Sequence, residues 1–90
     1  MKEIIEKIKE LQQALENHNE VIMVTVKKYE DNRAEILVNG FSYVPAGKTI
    51  YEKMSDNVGG YNKSVIIDGV KIHTFGTAEM VVNELKGETK

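Results

Sequence analysis

Ser64-Val65-Ile66-Ile67-Asp68-Gly69-Val70-Lys71-Ile72-His73-Thr74-Phe75 is the stretch whose reading decides the fold. Two runs rich in β-branched residues flank Asp68-Gly69, and a type I′ turn needs two central residues that accept positive φ. A two-residue loop fixes the register: Ile67 opposes Val70, Ile66 opposes Lys71, and Val65 opposes Ile72. Opposed residues share a face, so Val65, Ile67, Val70 and Ile72 form one apolar patch. Ser64, Ile66, Lys71 and His73 fall on the other face. The rest of the chain reads as what is needed to cover that patch.

Downstream, Thr77 is placed to cap a helix over Ala78–Lys86, with Val81, Val82 and Leu85 inward, Gly87 as its stop and the last three residues frayed. Upstream, Thr49-Ile50-Tyr51-Glu52 fits a capping box, with Thr49 as N-cap and Glu52 reaching back. It predicts a short helix that buries Ile50, Met54 and Val58 and ends near Asp56. Residues 57–63 then form a glycine-containing loop. Asn39-Gly40 gives a second hairpin signal between Ala34–Val38 and a strand ended by Pro45. That hairpin pairs Val38 with Phe41 and Ile36 with Tyr43, on one face with Ala34.

Residues 20–29 are β-rich on both faces, with Ile22, Val24 and Val26 on one side and Val21, Met23 and Thr25 on the other. This predicts a central strand. Glu30-Asp31-Asn32-Arg33 reads as a polar turn. Apolar residues at Met1, Ile4, Ile8, Leu11 and Leu15 recur at 3-4-3-4 spacing and predict a helix from Met1 to about Glu16, ended by Asn17-His18-Asn19. The same spacing is a two-heptad coiled-coil seam, too short to zip unaided. The expected order is α-βββ-α-ββ-α in one domain, 1–90. It is an α+β fold whose antiparallel sheet of about five strands carries its helices packed on one face.

Size and composition narrow the function. A chain of 90 residues buries only about 60–65% of its unfolded surface, so its core is modest and self-association would help it. Net charge is −2, and Arg33 is the one arginine among lysines interleaved with glutamates. That is poor material for a phosphate-backbone footprint, so nucleic acid is disfavoured. Cysteine is absent, which removes disulfides and thiolate chemistry and suits a reducing compartment. The amphipathic start is not a signal peptide, and no run approaches the roughly 20 apolar residues of a membrane span. The expectation is a cytoplasmic protein with no membrane partner. The Lys-, Glu-, Ile- and Asn-rich vocabulary suits a small bacterial or phage-encoded protein.

Candidate chemistry is sparse. Ala46-Gly47-Lys48-Thr49 carries the Gly-Lys-Thr ending of a phosphate-binding loop, but Ser42 stands where that pattern needs its first glycine. A weaker anion site remains: Gly47, Lys48 and Thr49 at a helix N-terminus, facing a second loop over residues 59–64. There Gly60, Tyr61, Asn62 and Lys63, with Tyr43, would hold a nucleotide-like anion. His18 comes from a helix end and His73 from the outward face of a strand, with no cysteine and no carboxylate at ligand spacing, so no metal and no cofactor are expected. His73 opposes Ser64 with no acid to orient it, and no catalytic residue is assigned. Tyr29, Tyr43, Tyr51 and Tyr61 are natural contact residues.

A sheet covered on one side leaves Met23, Leu37, Val44 and Ile66 facing outward. With Ile4, Ile8 and Leu11 they are the candidate interface, because a surplus apolar face points to a partner. The leading expectation is a non-enzymatic binding protein that self-associates and acts as an accessory or inhibitor factor on a larger protein. The alternative is the anion binder.

Overall fold

A computed structural model describes residues 1–29, 34–54 and 60–88. The chain runs α1 (Lys2–Leu15), β1 (Val21–Val26), β2 (Ala34–Val38), a 3-10 turn (Phe41–Tyr43), β3 (Ile50–Lys53), β4 (Gly60–Ile67), β5 (Val70–Thr77) and α2 (Ala78–Glu88). The fold is α+β, with a five-stranded sheet in the order β1-β2-β5-β4-β3. The expected turn at 30–33, Val58, the helix end near Asp56, the first part of the 57–63 loop and the last two residues lie outside the described residues.

The hairpin at residues 64–75 forms as its turn chemistry requires. Asp68 and Gly69 take φ of 51° and 81°, and Ile67 pairs with Val70, Ile66 with Lys71, Val65 with Ile72 and Ser64 with His73. The two strands run further than their flanks suggested, because Tyr61, Asn62 and Lys63 continue the ladder against Gly76, Phe75 and Thr74. Residues 60–63 are therefore strand, not loop.

The purely antiparallel sheet is overturned, and two local readings fall with it. Asn39-Gly40 does not close a hairpin. Asn39 stays out of the positive-φ region and Gly40 takes φ of 128°, so the chain leaves the sheet and dips through the 3-10 turn. That dip carries Phe41 and Val44 into the core. β2 pairs instead with β5, in parallel, Ala34 against Val70 and Ile36 against Ile72. The sheet is mixed, and the proposed Val38–Phe41 and Ile36–Tyr43 pairs do not exist. In the second case Ile50–Lys53 is strand where a helix is expected. Tyr51 opposes Lys63 and Glu52 opposes Asn62. Thr49 Oγ1 donates to the Gly47 carbonyl at 3.4 Å and caps nothing. β-prone Ile50 and Tyr51 gain a ladder and a ring contact with Phe41 (centroids 6.3 Å apart), and tertiary pairing outweighs the local capping signal.

The core face is set by strand parity. Val38, Val44 and Val65 form its centre, with Val21, Ile36 and Ile72 packed around them. Val21 and Val24 lie on that side, with Val26 beyond them 73% exposed, because a bulge interrupts β1 between Val21 and Met23, which takes Ile22 off the face it was expected to share. β1 is also an edge strand, not a central one. Gly47 sits so close to this core that a Cβ would meet Val65 Cγ2 at 2.7 Å.

α2 packs on the sheet through buried Val81, while Val82 and Leu85 are exposed. The Thr77 hydroxyl accepts from the Met80 amide at 3.2 Å, the expected cap. The helix passes through Gly87 without stopping. α1 has the expected bounds within a residue, yet none of its residues is buried. The long dimension of the molecule, 49 Å against 27 and 24 Å, fits a helix that does not lie in the sheet's main packing layer.

Candidate interaction surface

α1 presents its apolar residues to open space. Ile4 is 57% exposed and Ile8 51%, with Ile5 and Leu11 also exposed. Its charged faces are ordinary, with Lys7 and Glu10 paired one turn apart at 3.5 Å. Glu3, Ile4, Lys7, Ile8 and Leu11 form one wall of a groove of about 740 Å³, and Val26 and Lys28 form the other. The groove combines apolar side chains with the charged Glu3, Lys7 and Lys28, and it places the bare helix beside the outer strand of the sheet.

The sheet face opposite the core carries a second apolar set. Met23 is 53% exposed and Ile66 55%, with Phe75 and Ile50 also exposed and Leu37 half-buried. Val44 does not belong to this surface. It is 7% exposed in the core, because the 3-10 turn, not a third hairpin strand, carries it across to the other side. Of the seven interface candidates, Met23, Leu37 and Ile66 share the open sheet face, while Ile4, Ile8 and Leu11 share the helix stripe.

A small polar cluster sits on the same open face. Asn62 Nδ2 donates to His73 Nδ1 at 3.2 Å, and the imidazole meets Phe75 edge-on at 5.9 Å. Acceptance at Nδ1 requires the neutral ring. Burial and the neighbouring Lys71 push the His73 pKa below its ordinary value of 6.5, against an opposing pull from Glu35. The sign follows: with a depressed folded pKa, the unfolded chain binds the proton more readily. The His73 contribution is complete above pH 6.5 and is lost as pH falls through the folded value. Urea unfolding is therefore expected to show falling stability as the medium is acidified below that point, and His73→Gln is expected to flatten this part of the profile. A slope unchanged in His73→Gln would remove the assignment.

The candidate anion site does not assemble as expected. Gly47, Lys48 and Thr49 precede a strand, so no helix N-terminus faces them. Lys63 points into the core face and is 7% exposed. Its Nζ donates to Glu84 Oε1 at 2.5 Å, to Oε2 at 2.6 Å and to the Phe41 carbonyl at 3.0 Å, and it lies 5.4 Å from the centre of the Phe41 ring. All three ammonium protons are thus engaged. Asn62 projects from the other side of β4, toward His73, so Asn62 and Lys63 cannot close on one ligand. Tyr43 and Lys48 are exposed, Tyr61 is half-buried, and Gly60 accepts the Met54 amide at 2.9 Å.

The sequence reading missed the Lys63–Glu84 pair. Its signal was strand parity, since Lys63 shares a face with Val65 and Ile67. Among the described residues no group of three His, Cys, Asp or Glu side chains could hold a metal ion, and no helix is long and apolar enough to cross a membrane. Comparison with protein-family models, curated proteins and solved structures finds no match to this chain.

Proposed function

We propose that this chain is a non-enzymatic binding protein that self-associates and acts, in the cytoplasm, as an accessory or inhibitor factor through contact with a larger protein. One observation carries the reading: an amphipathic helix of 14 residues with no buried side chain. A free helix of that length is marginal in water, because nucleation is costly and propagation gains little per residue. Burying the exposed half of each of Ile4, Ile5, Ile8 and Leu11 would add on the order of 1 kcal/mol per side chain. A helix built to this pattern gains its stability from whatever covers it. The bare Met23, Ile66 and Phe75 on the open sheet face offer a second surface for the larger partner, and the cysteine-free composition suits the compartment.

Sedimentation equilibrium from low to high micromolar concentration tests the self-association. The expected result is a mass that rises with concentration toward a closed oligomer. A strict monomer throughout would sink it.

A further inference from the structure

Deepening the self-association reading, on which it rests, we infer that two copies join through their β1 edges, antiparallel about a two-fold axis, with the α1 helices packed against each other over the seam. The two edges of the sheet differ in kind. β3 is four residues long and carries Glu52 and Lys53, charges of the sort that keep an edge from pairing. β1 reads Val-Ile-Met-Val-Thr-Val, without charge or proline, and among the described residues it pairs with β2 alone. Its one irregularity is the bulge at its start, so Met23–Val26 remain regular strand. A row of backbone donors and acceptors on such an edge recognises another extended strand.

Charge chooses the direction. Glu20 precedes β1, and Lys27 and Lys28 follow it. Parallel pairing would put like ends together. Antiparallel pairing sets the Glu20 of each copy against the lysine end of the other. Within the regular segment after the bulge, the two-fold that sets Met23 against Thr25 puts Val24 opposite its own copy and brings the Glu20 end toward Lys27 and Lys28 of the other.

The axis of such a pair is perpendicular to the sheet, so both copies present the same face upward. The groove between α1 and Val26 then adjoins its own copy across the seam. The stripe of Ile4, Ile8 and Leu11 meets an identical stripe at the 3-4 spacing that interlocking helices use. Neither element is sufficient alone, since two heptads do not zip and one strand pair is marginal. A foreign strand could satisfy the edge, but a second copy also brings a matching helix to the same place.

The chain lacks cysteine, so one introduced thiol can be read without background. Val24→Cys is expected to form a disulfide-linked dimer under mild oxidation, because directly opposed strand residues have Cα atoms about 4.5–5.5 Å apart, within disulfide reach. Glu52→Cys, on the other edge, is expected to form no disulfide-linked dimer, because the non-covalent β1 seam keeps its two thiols apart. In the unmodified protein the Met23–Thr25 amides should exchange more slowly as concentration rises, a readout that needs no variant.

Ile8→Asp with Leu11→Asp is expected to abolish the dimer while leaving the sheet intact, because α1 contributes nothing to the core. If the dimer forms but Val24→Cys does not cross-link, or β1 exchange ignores concentration, the seam is wrong while self-association stands. If the unmodified chain is monomeric at high micromolar concentration, both fall.

Discussion

Glu84→Ala is expected to lower the unfolding free energy by about 2–3 kcal/mol, whereas Lys63→Met at the other end of the same ion pair costs less than about 1 kcal/mol. The asymmetry comes from burial. The Lys63 side chain is 9% exposed and that of Glu84 28%. Removing the carboxylate leaves a buried ammonium with the Phe41 carbonyl and ring as its remaining partners among the described residues, and breaking a fully buried pair this way costs about 3–5 kcal/mol. Partial exposure of Glu84 lowers that figure, because water already screens one end.

Removing the ammonium instead leaves a carboxylate that can turn toward water and still accept from the Tyr51 hydroxyl, 3.4 Å away. The methionine keeps the apolar stem against the Phe41 ring. Urea unfolding with the m-value held as a control measures both. Equal losses from the two substitutions would mean that the pair is not buried as described. A thermal readout should agree, since about 1 kcal/mol moves the midpoint of a domain this size by roughly 4–8 °C.

The pair also explains how α2 is held. Val81 is the one buried side chain of that helix among its described residues, a thin apolar anchor for 11 residues. Glu84 reaches over β4 and ties the helix to Lys63, and through it to the carbonyl of Phe41. Helix, strand and 3-10 turn thus converge on one ammonium group. Geometry of this kind selects one docking of the helix over others more than it adds net stability, since a well-packed apolar pair could replace it at little cost. A combined Lys63→Met, Glu84→Leu variant should therefore unfold near the native midpoint.

Local chemistry and long-range pairing divide what the sequence discloses. The Asp68-Gly69 turn sets its register by two residues and a loop length, so it reads correctly from the chain alone. α1, β1 and β2 have periodicities that need no partner to recognise, and Thr77 announces α2. The failures lie where a distant strand decides. Asn39-Gly40 carries a hairpin signal, but β2 has its second neighbour in β5, and that parallel pairing bridges more than thirty residues. Thr49 to Glu52 satisfies a helix cap locally, yet β4 offers a ladder that outweighs it.

The site errors follow from the fold errors. Without the helix after Thr49 there is no anion-binding terminus. Val44 belonged to the open face only while residues 41–44 were a strand. Lys63 is different, because its burial was implied by the hairpin register itself: it alternates with Ser64 and shares a face with Val65. A charged residue at a core position signals a buried partner sooner than a ligand. No sequence pattern pointed to Glu84 as that partner, since its spacing from Lys63 has meaning only after the helix folds back onto the sheet.

Gly76→Ala is expected to destabilise the protein by about 3 kcal/mol, the largest effect of any single methyl group here. A Cβ at this position would stand 2.4 Å from Phe41 Cε1 and 2.5 Å from Cζ, closer than any carbon contact tolerates. The obstruction is a ring, not a flexible chain end, and Phe41 is buried beneath Tyr51 with Lys63 against its face. Overpacking of a well-filled core costs about 1–3 kcal/mol when neighbours relax, and a confined ring puts this site at the upper end.

A double-mutant cycle isolates the cause. Phe41→Leu alone should cost about 1–2 kcal/mol for lost ring contacts, yet it opens the space that the new methyl needs. Combined with Gly76→Ala it should unfold at least about 1 kcal/mol later than the sum of the single losses, the coupling expected of residues in direct contact. Strict additivity would show that the glycine is required for backbone freedom in β5 and not for room. Gly76 does not adopt positive φ, so steric contact with the turn that carries Phe41 is the physical reason a residue without a side chain stands in the middle of this strand.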